Sequence, residues 1–495
     1  MEVQPFIIFV YMRKRLWVLL FSALPFCLFA QDKWDLRRCV EYAMKNNVTV
    51  RQADIQARIA ALQVKQAQLN QYPNANLSSN IGLQLGRSID PTTNQFTTTQ
   101  LVYNSFGLNG GVEVFNWGHL KNLRIAAGFS AQAALADIEK SANDIALTVA
   151  TYYLQALAAR QQIDIVQIQI GQTLAQLSVT TNKVNAGALP ELNLAQTQAQ
   201  LATDSSNFIT AQATYRQDLL ALKGALNLDP ATPFQIETPP IETVPLEDIM
   251  TLQPESVYLI ASQSFPQLRA NDLRIKMAQT NIQVARSQMY PSISLGYNLG
   301  TNFSNSFKGV DFANPQYNGY KSTGLITTIN GTNYNVLQPS VSYADVHRNI
   351  FNVWNGYGSQ MNQNFRQSIG FSINVPIFNN GSYRINYERS KLDLRSYELQ
   401  KEQSARQLKL DIYTAYNNAL TAMEKFNAGR KSVDAAQKAY DFASKRYEVG
   451  LLSTIDLITS QNNLLTAKLQ ELNSQFEYVF RMKLLEFYKG EGLKL

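Results

Sequence analysis

The stretch Ile412–Tyr447 reads IYTAYNNALTAMEKFNAGRKSVDAAQKAYDFASKRY, and two stripes run through it at a spacing of seven. One is Ile412, Ala419, Phe426, Val433, Tyr440 and Tyr447; the other is uniformly small, Ala415, Ala422, Gly429, Ala436 and Ala443. A sustained seven-residue period means helices wound on one another with a left-handed supercoil, and small residues let such helices approach closely. Moving back by 263 positions gives Val149, Ala156, Ile163, Ile170, Leu177 and Val184, apolar at every step. The segments that follow carry the same spacing. In the first half they show Leu194, Leu201, Phe208, Tyr215 and Leu222; in the second, Leu457, Leu464, Tyr478 and Leu485, with Glu471 breaking the stripe. From about His119 to Ala186 there is no proline and only two glycines, Gly128 and Gly171. At ~1.5 Å per residue such a helix spans roughly 100 Å, more than a compact domain can hold.

Working outward, the chain reads as two copies of one unit. Each copy has a helical stretch ending in Tyr-Pro, at Tyr72-Pro73 and Tyr290-Pro291. Each then reaches an Asn-x-Gly turn, Asn116-Trp117-Gly118 and Asn379-Asn380-Gly381, and later a second glycine, Gly187 and Gly450. The first landmarks lie 218 residues apart and the later ones 263, so one connection in the second copy is longer. The first repeat is placed at 31–227 and the second at 255–490. Between them 228–254 is rich in proline and is expected to lie outside the helical rod. The expected helical hairpins are 119–227 and 382–489.

Between the Tyr-Pro and Asn-x-Gly landmarks the period changes from helix to strand. Ile293, Leu295, Tyr297, Leu299, Thr301 and Phe303 alternate with Ser294, Gly296, Asn298, Gly300 and Asn302, and Ile369, Phe371, Ile373, Val375 and Ile377 alternate likewise. Strands are expected at about 75–86, 105–115, 292–303 and 365–377. One apolar and one small polar face suits a strand with lipid outside and water inside, although a soluble sandwich strand gives a similar pattern. The long connection 304–364, dense in Asn, Tyr, Gly and Thr, is expected as an outer loop. It is read as a receptor surface, a partial plug or an unspecialised solvated loop.

Composition narrows the classes. Only 16% of the residues are charged, and the formal net charge of +7 is spread along the helical segments, so no basic block points to nucleic acid. Residues 1–30 read as an export signal, with Arg13-Lys14-Arg15 before the apolar run Leu16–Phe29. Cys27 raises a lipid-attachment alternative, against which Phe26 is bulky for a lipobox. If Cys27 leaves with the signal, Cys39 alone remains and no disulfide can form within the chain. Two histidines, His119 and His347, stand far apart, and no zinc spacing, phosphate loop or nucleophile elbow appears, so no catalytic residue, metal site or cofactor is expected.

The paired Tyr-Pro motifs, Val375-Pro376-Ile377-Phe378-Asn379-Asn380-Gly381, and Tyr447-Glu448-Val449-Gly450 running on to Asp456 together resemble the outer-membrane efflux (TolC-like) family. The resemblance covers nearly the whole chain. It implies an α+β membrane protein: a homotrimer whose subunits each give four strands to a twelve-stranded outer-membrane β-barrel, continued by a long periplasmic α-helical coiled-coil barrel. It also implies a passive exit duct in the outer membrane, working with a periplasmic adaptor and an inner-membrane transporter of RND or ABC type. A tripartite drug-efflux pump and a type I protein-secretion system both fit; a soluble coiled-coil scaffold is the reading outside the membrane.

By position, the tip residues Ala186, Gly187, Ala188, Val449, Gly450 and Leu451 inherit contact with the adaptor, although any antiparallel hairpin wants glycine there. Tyr447 and Asp456 match the family's periplasmic gate. Asn193, Leu452 and Thr459 stand where the family often has charged gate residues, so a gate held by apolar and uncharged polar contacts is expected. Asn116, Gly118, Pro376, Asn379 and Gly381 mark the strand–helix turns.

Overall fold

A computed structural model of the chain describes residues 33–89, 94–97, 101–241, 244–305, 310–345, 354, 356–490 and 492. The expected signal segment, with Cys27, lies outside them. In chain order the elements are α1 (Leu36–Asn46), α2 (Val48–Leu69), β1 (Asn76–Gln84), β2 (Ser88–Ile89), β3 (Phe96–Thr97), β4 (Leu101–Phe115), α3 (His119–Asn185) and α4 (Glu191–Leu226). A 3-10 turn (Ile249–Thr251) leads to α5 (Pro254–Ser264), α6 (Pro266–Ser287), β5 (Ser292–Ser304), β6 (Val310–Ile329), β7 (Thr332–Asp345), α7 (Tyr357–Gln363), β8 (Arg366–Asn374), α8 (Ser382–Glu448) and α9 (Thr454–Lys489). α3 and α8 are both 67 residues long, and α4 and α9 both 36. The described residues divide into two compact units: those within 33–60, 130–275 and 396–492 form one, those within 61–129 and 276–395 the other.

The first unit is helical and holds two apolar cores. In one, Leu36, Cys39 and Ala43 of α1 meet Val149, Tyr153 and Ala156 of α3, Leu222 and Leu226 of α4, and Phe476 and Val479 of α9. In the other, Ile412, Ala415 and Ala419 of α8 meet Val257 and Ala261 of α5 and Met482 and Leu485 of α9. Both heptad stripes of α8 therefore reach a core. The proline-rich segment packs onto these helices, with Ile236 and Ile241 buried in the first core and Ile249 and Leu252 in the second. Its proline-free stretch Gln235–Glu237 pairs with Trp34, and the Tyr153 hydroxyl donates to Glu237 O at 2.8 Å. Burial pushes the Cys39 thiol up to about 12, with Asp35 adding to the rise. The Glu471 that interrupts the apolar stripe faces Gly429 of the small stripe: a Cβ at Gly429 would lie 3.3 Å from Glu471 Cα.

The second unit is built on a four-stranded antiparallel sheet in the order β1-β4-β5-β8. Its register sorts the side chains. Leu77 pairs with Leu108 and Leu108 with Leu299; Val112 pairs with Leu295 and Leu295 with Phe371. On the other face Asn109, Asn298 and Ser368 align, as do Ser294 and Ser372. Side chains alternate across a strand, so one face of the whole sheet is mainly apolar and the other small and polar. β1 and β8 are its outer strands, and Leu77 (75% exposed), Ile369 and Phe371 (72%) stand bare.

The strands depart from expectation in two places. β4 begins earlier, at Leu101, which pairs with Gln84 at the end of β1, and Asn305 ties it to the end of β5: the Val102 N–H donates to Asn305 Oδ1 at 2.8 Å and the Asn305 N–H donates to Val102 O at 3.0 Å. β8 ends at Asn374, short of Pro376, which has no N–H to give a ladder. The connection 304–364, expected only as a loop, contains the β6–β7 hairpin and α7. α7 closes the end of β5, where the Gln360 amide exchanges two 3.1 Å hydrogen bonds with the Ser304 backbone and Phe303 is buried against Trp354 and Tyr357.

Candidate functional site

The two helix-to-helix turns belong to the first unit and close in the same way. The Gly187 and Gly450 backbones sit at φ +73° and +81°, the left-handed region that a residue with Cβ enters at a cost. After α3, Ala188 N–H reaches back to Lys183 O at 2.8 Å and Gly187 N–H to Val184 O at 2.9 Å. After α8, Leu451 N–H reaches Arg446 O at 2.8 Å and Gly450 N–H reaches Tyr447 O at 3.0 Å. This paired pattern satisfies carbonyls that the helix end leaves without partners. Ala186, Gly187, Ala188, Val449, Gly450 and Leu451 are all exposed, and Val449 and Leu451 present bare apolar side chains.

The gate residues proposed from sequence do not all converge. Tyr447 is 3% exposed; its Oη lies 3.1 Å from Thr180 Oγ1 and accepts from Thr454 Oγ1 at 3.4 Å. The Lys183 ammonium stands 4.8 Å from the centre of the Tyr447 ring and donates to Tyr447 O and Glu448 O at 3.2 Å each. A cation at helix-terminal carbonyls and over an aromatic face is favourable on both counts. Asp456 is exposed and serves its own helix: Ser453 Oγ donates to Asp456 Oδ2 at 2.6 Å and accepts from Asp456 N–H at 3.2 Å. Asn193 and Leu452 are half-buried and Thr459 is exposed. Two of them make local contacts: Thr197 Oγ1 donates to Asn193 O at 2.9 Å, and Thr459 Oγ1 to Ile455 O at 2.8 Å.

Thr180, Lys183 and Thr454 were not singled out from sequence, and neither was the buried polar layer beside them. Thr173 Oγ1 donates to Asp204 Oδ2 at 2.6 Å and accepts from Gln461 Nε2 at 3.0 Å; Gln200 Nε2 donates to Asp204 Oδ1 at 2.9 Å. Gln200 and Asn462 also exchange amide hydrogen bonds of 3.0 and 3.1 Å. The signal was present as spacing. Thr173 and Thr180, Thr197 and Asp204, and Thr454 and Gln461 are each seven apart, and all six are buried. Thr173 and Thr180 extend the stripe Tyr152, Ala159 and Val166, whereas the other two pairs run on into Asp218 or Lys468 and Gln475, so a search for apolar periodicity passes over all of them.

In the second unit the strand–helix turns are also matched. Trp117-Gly118 and Asn380-Gly381 each have two successive positive φ angles, 52° and 77°, then 54° and 76°. His119 N–H closes the first turn on Asn116 O at 3.0 Å and Ser382 N–H the second on Asn379 O at 3.1 Å. That is the double left-handed turn, for which Asn-Gly is the favoured pair. Phe115, Trp117 and Tyr290 form a run of ring contacts at 5.2 and 5.1 Å beside the first turn.

Strands with one apolar and one small polar face, tight double left-handed turns, and long heptad-striped helices define a class of envelope channel proteins. The chain belongs to the outer membrane efflux protein family, whose model matches residues 40–228 and 340–480. It is 25% identical over 244 residues to the pyoverdine export outer membrane protein OpmQ of Pseudomonas putida, covering 49% of each chain. It is 21% identical to the toxin and drug export protein A of Aggregatibacter actinomycetemcomitans, over 90% of this chain and 84% of that one. Against the outer membrane protein TolC of Escherichia coli K12 the identity is 21%, over 67% and 58%. The chain thus spans about half the length of OpmQ and 58% of TolC. Among solved structures, CusC superposes with a TM-score of 0.70 at 17% identity and 92% coverage of both chains. VceC of Vibrio cholerae gives 0.68 at 15%, covering 93% of this chain and 97% of that one.

Proposed function

We propose that the chain is one subunit of a homotrimeric outer-membrane channel, a passive exit duct for small toxic compounds leaving the periplasm or an inner-membrane transporter. Each subunit gives four strands to a twelve-stranded barrel, and its two repeats of paired long helices line a periplasmic tunnel. One observation carries the reading: a four-stranded sheet with an apolar face, a small polar face and both outer strands, β1 and β8, unpaired on their far sides. In lipid every backbone group needs a partner, so such a sheet must close through further copies.

The exposed Ala186–Ala188 and Val449–Leu451 turns are the surface offered to a periplasmic adaptor, which couples the duct to an RND or ABC transporter. Tyr447, buried beside Thr180 and Thr454, holds the closed tip mainly by its packed ring and secondarily by uncharged polar contacts, while Asp456, Asn193, Leu452 and Thr459 line the mouth. The matched turns at Asn116–Gly118 and Asn379–Gly381, preceded by Pro376, redirect the chain from barrel to tunnel.

Two measurements test this. Envelopes carrying the chain should yield a trimer that dissociates to monomer on boiling, and the purified trimer should conduct in planar bilayers. A boiling-insensitive monomer confined to the soluble fraction sinks the proposal. The second reading, an exit duct for type I protein secretion, draws on the toxin and drug export relative, which aligns over most of both chains. A deletion strain that becomes drug-sensitive yet secretes its proteins normally favours efflux; the reverse favours secretion.

A further inference from the structure

The β6–β7 hairpin has an unbalanced surface. Its two strands pair with each other and, among the described residues, join no other sheet. Tyr317 pairs with Val341, Tyr320 with Pro339 and Ser322 with Leu337, which puts these side chains on one face. On it Tyr320 is 68% exposed and Leu337 54%. The opposite face carries Gln316, Ser342, Lys321 and Gln338 over the same span, and Tyr334 and Val336 only nearer the turn. An isolated two-stranded ribbon is marginal in water, and a ribbon with one bare aromatic and aliphatic face needs cover.

The occupant follows from charge, area and edges. β6 and β7 contain one lysine and two aspartates, Lys321, Asp311 and Asp345, too little positive charge to hold an anionic lipid surface. The apolar face itself has no charged residue, so identical faces meet without repulsion. A ribbon two strands wide and about eight residues long presents roughly 250 Å², well below the ~800 Å² per partner of a stable interface. The face therefore adds to an association made elsewhere, and the open edges of β1 and β8 supply one. Pro315 and Pro339 and the bulges in β6 interrupt the hairpin's ladder edges, which disfavours strand addition and leaves the face as the contact.

We infer that the β6–β7 hairpin is an assembly contact, its Tyr317–Tyr320–Leu337–Val341 face packing against the same face of hairpins from neighbouring copies of this chain. The inference rests on the trimeric reading and adds a contact which that reading does not contain.

Cysteine variants of the full chain in its native envelope test it, with the unsubstituted chain as blank because Cys39 is buried. Tyr320→Cys, or the nearly isosteric Ser322→Cys should the first fail to assemble, is treated with a flexible bis-maleimide and run on a denaturing gel. Tyr334→Cys, on the opposite face, is the control. The expected result is a cross-linked dimer band from the apolar-face variants at least fivefold stronger than from Tyr334→Cys, together with slower labelling by an impermeant maleimide. A boiling-sensitive trimer whose apolar-face cysteines label as fast as Tyr334→Cys overturns the contact and leaves the trimer standing. Protection without cross-linking also overturns it, because lipid or another protein then covers the face. Absence of any trimer overturns both.

Discussion

The turns after α3 and α8 have the same closure and different contents. Both use a left-handed glycine and the same pair of backbone hydrogen bonds, yet only the second inserts a buried aromatic, Tyr447. The first supplies its partners, Thr180 and Lys183. The helices that follow also start differently. α9 is capped by Ser453, whereas α4 begins after Pro190 with no side-chain cap. Duplication of a motif thus fixed the backbone at both ends, and divergence assigned one tip the key and the other the socket. The lesson is that a sequence match between repeats transfers conformation more safely than it transfers a residue's role.

Removing the key is the strongest way to break this comparison. Tyr447→Ala should cost about 3–5 kcal/mol as a large buried ring is lost, seen as a lower melting temperature and a higher bilayer conductance. Tyr447→Phe should cost only about 1 kcal/mol, the net worth of its hydrogen bonds. Equal effects of the two substitutions would show that the hydroxyl, not the packing, holds the tip.

The shared closure should fail equally in both places. Gly187→Ala and Gly450→Ala should each destabilise by about 1–2 kcal/mol, the penalty for a Cβ in the left-handed region, with denaturant midpoints that agree. A large inequality would mean that one turn carries strain the other does not. The caps should behave unequally: Ser453→Ala should cost about 1 kcal/mol, and Pro190→Ala should leave the midpoint near that of the parent. Lys183→Met is expected to be mildest, about 0.5 kcal/mol because the ammonium is only half-buried at the carbonyls it meets, and that loss should shrink in high salt. Salt-independent destabilisation would argue for lost stem packing in place of charge.

Much of the fold was legible. The heptad stripes placed four helices, the alternation placed four strands, and the Asn-x-Gly and tip glycines placed four turns with left-handed backbone. These signals are local, because a stripe, an alternation or a turn is set by residues within a few positions of one another. The site was legible only in part. Tyr447 and the tip glycines stood out, while the bond between Asp456 and Ser453, the cap of its own helix, and the roles of Thr180, Thr173, Asp204 and Gln461 went unnoticed. Polar residues at heptad positions look like solvated ones until the opposing helix is known.

What the sequence determined alone, then, is periodicity: which segments are helix or strand, where they reverse, and that the pattern occurs twice. What only the tertiary structure decided is pairing. Thr180 and Tyr447 lie 267 residues apart, and the register of one helical hairpin against the other brings them together. The same holds for Gly429 against Glu471 and for Gln360 on the end of β5. Contacts across such distances depend on how whole helices and strands pack, a property of the summed surface that no short window of residues contains.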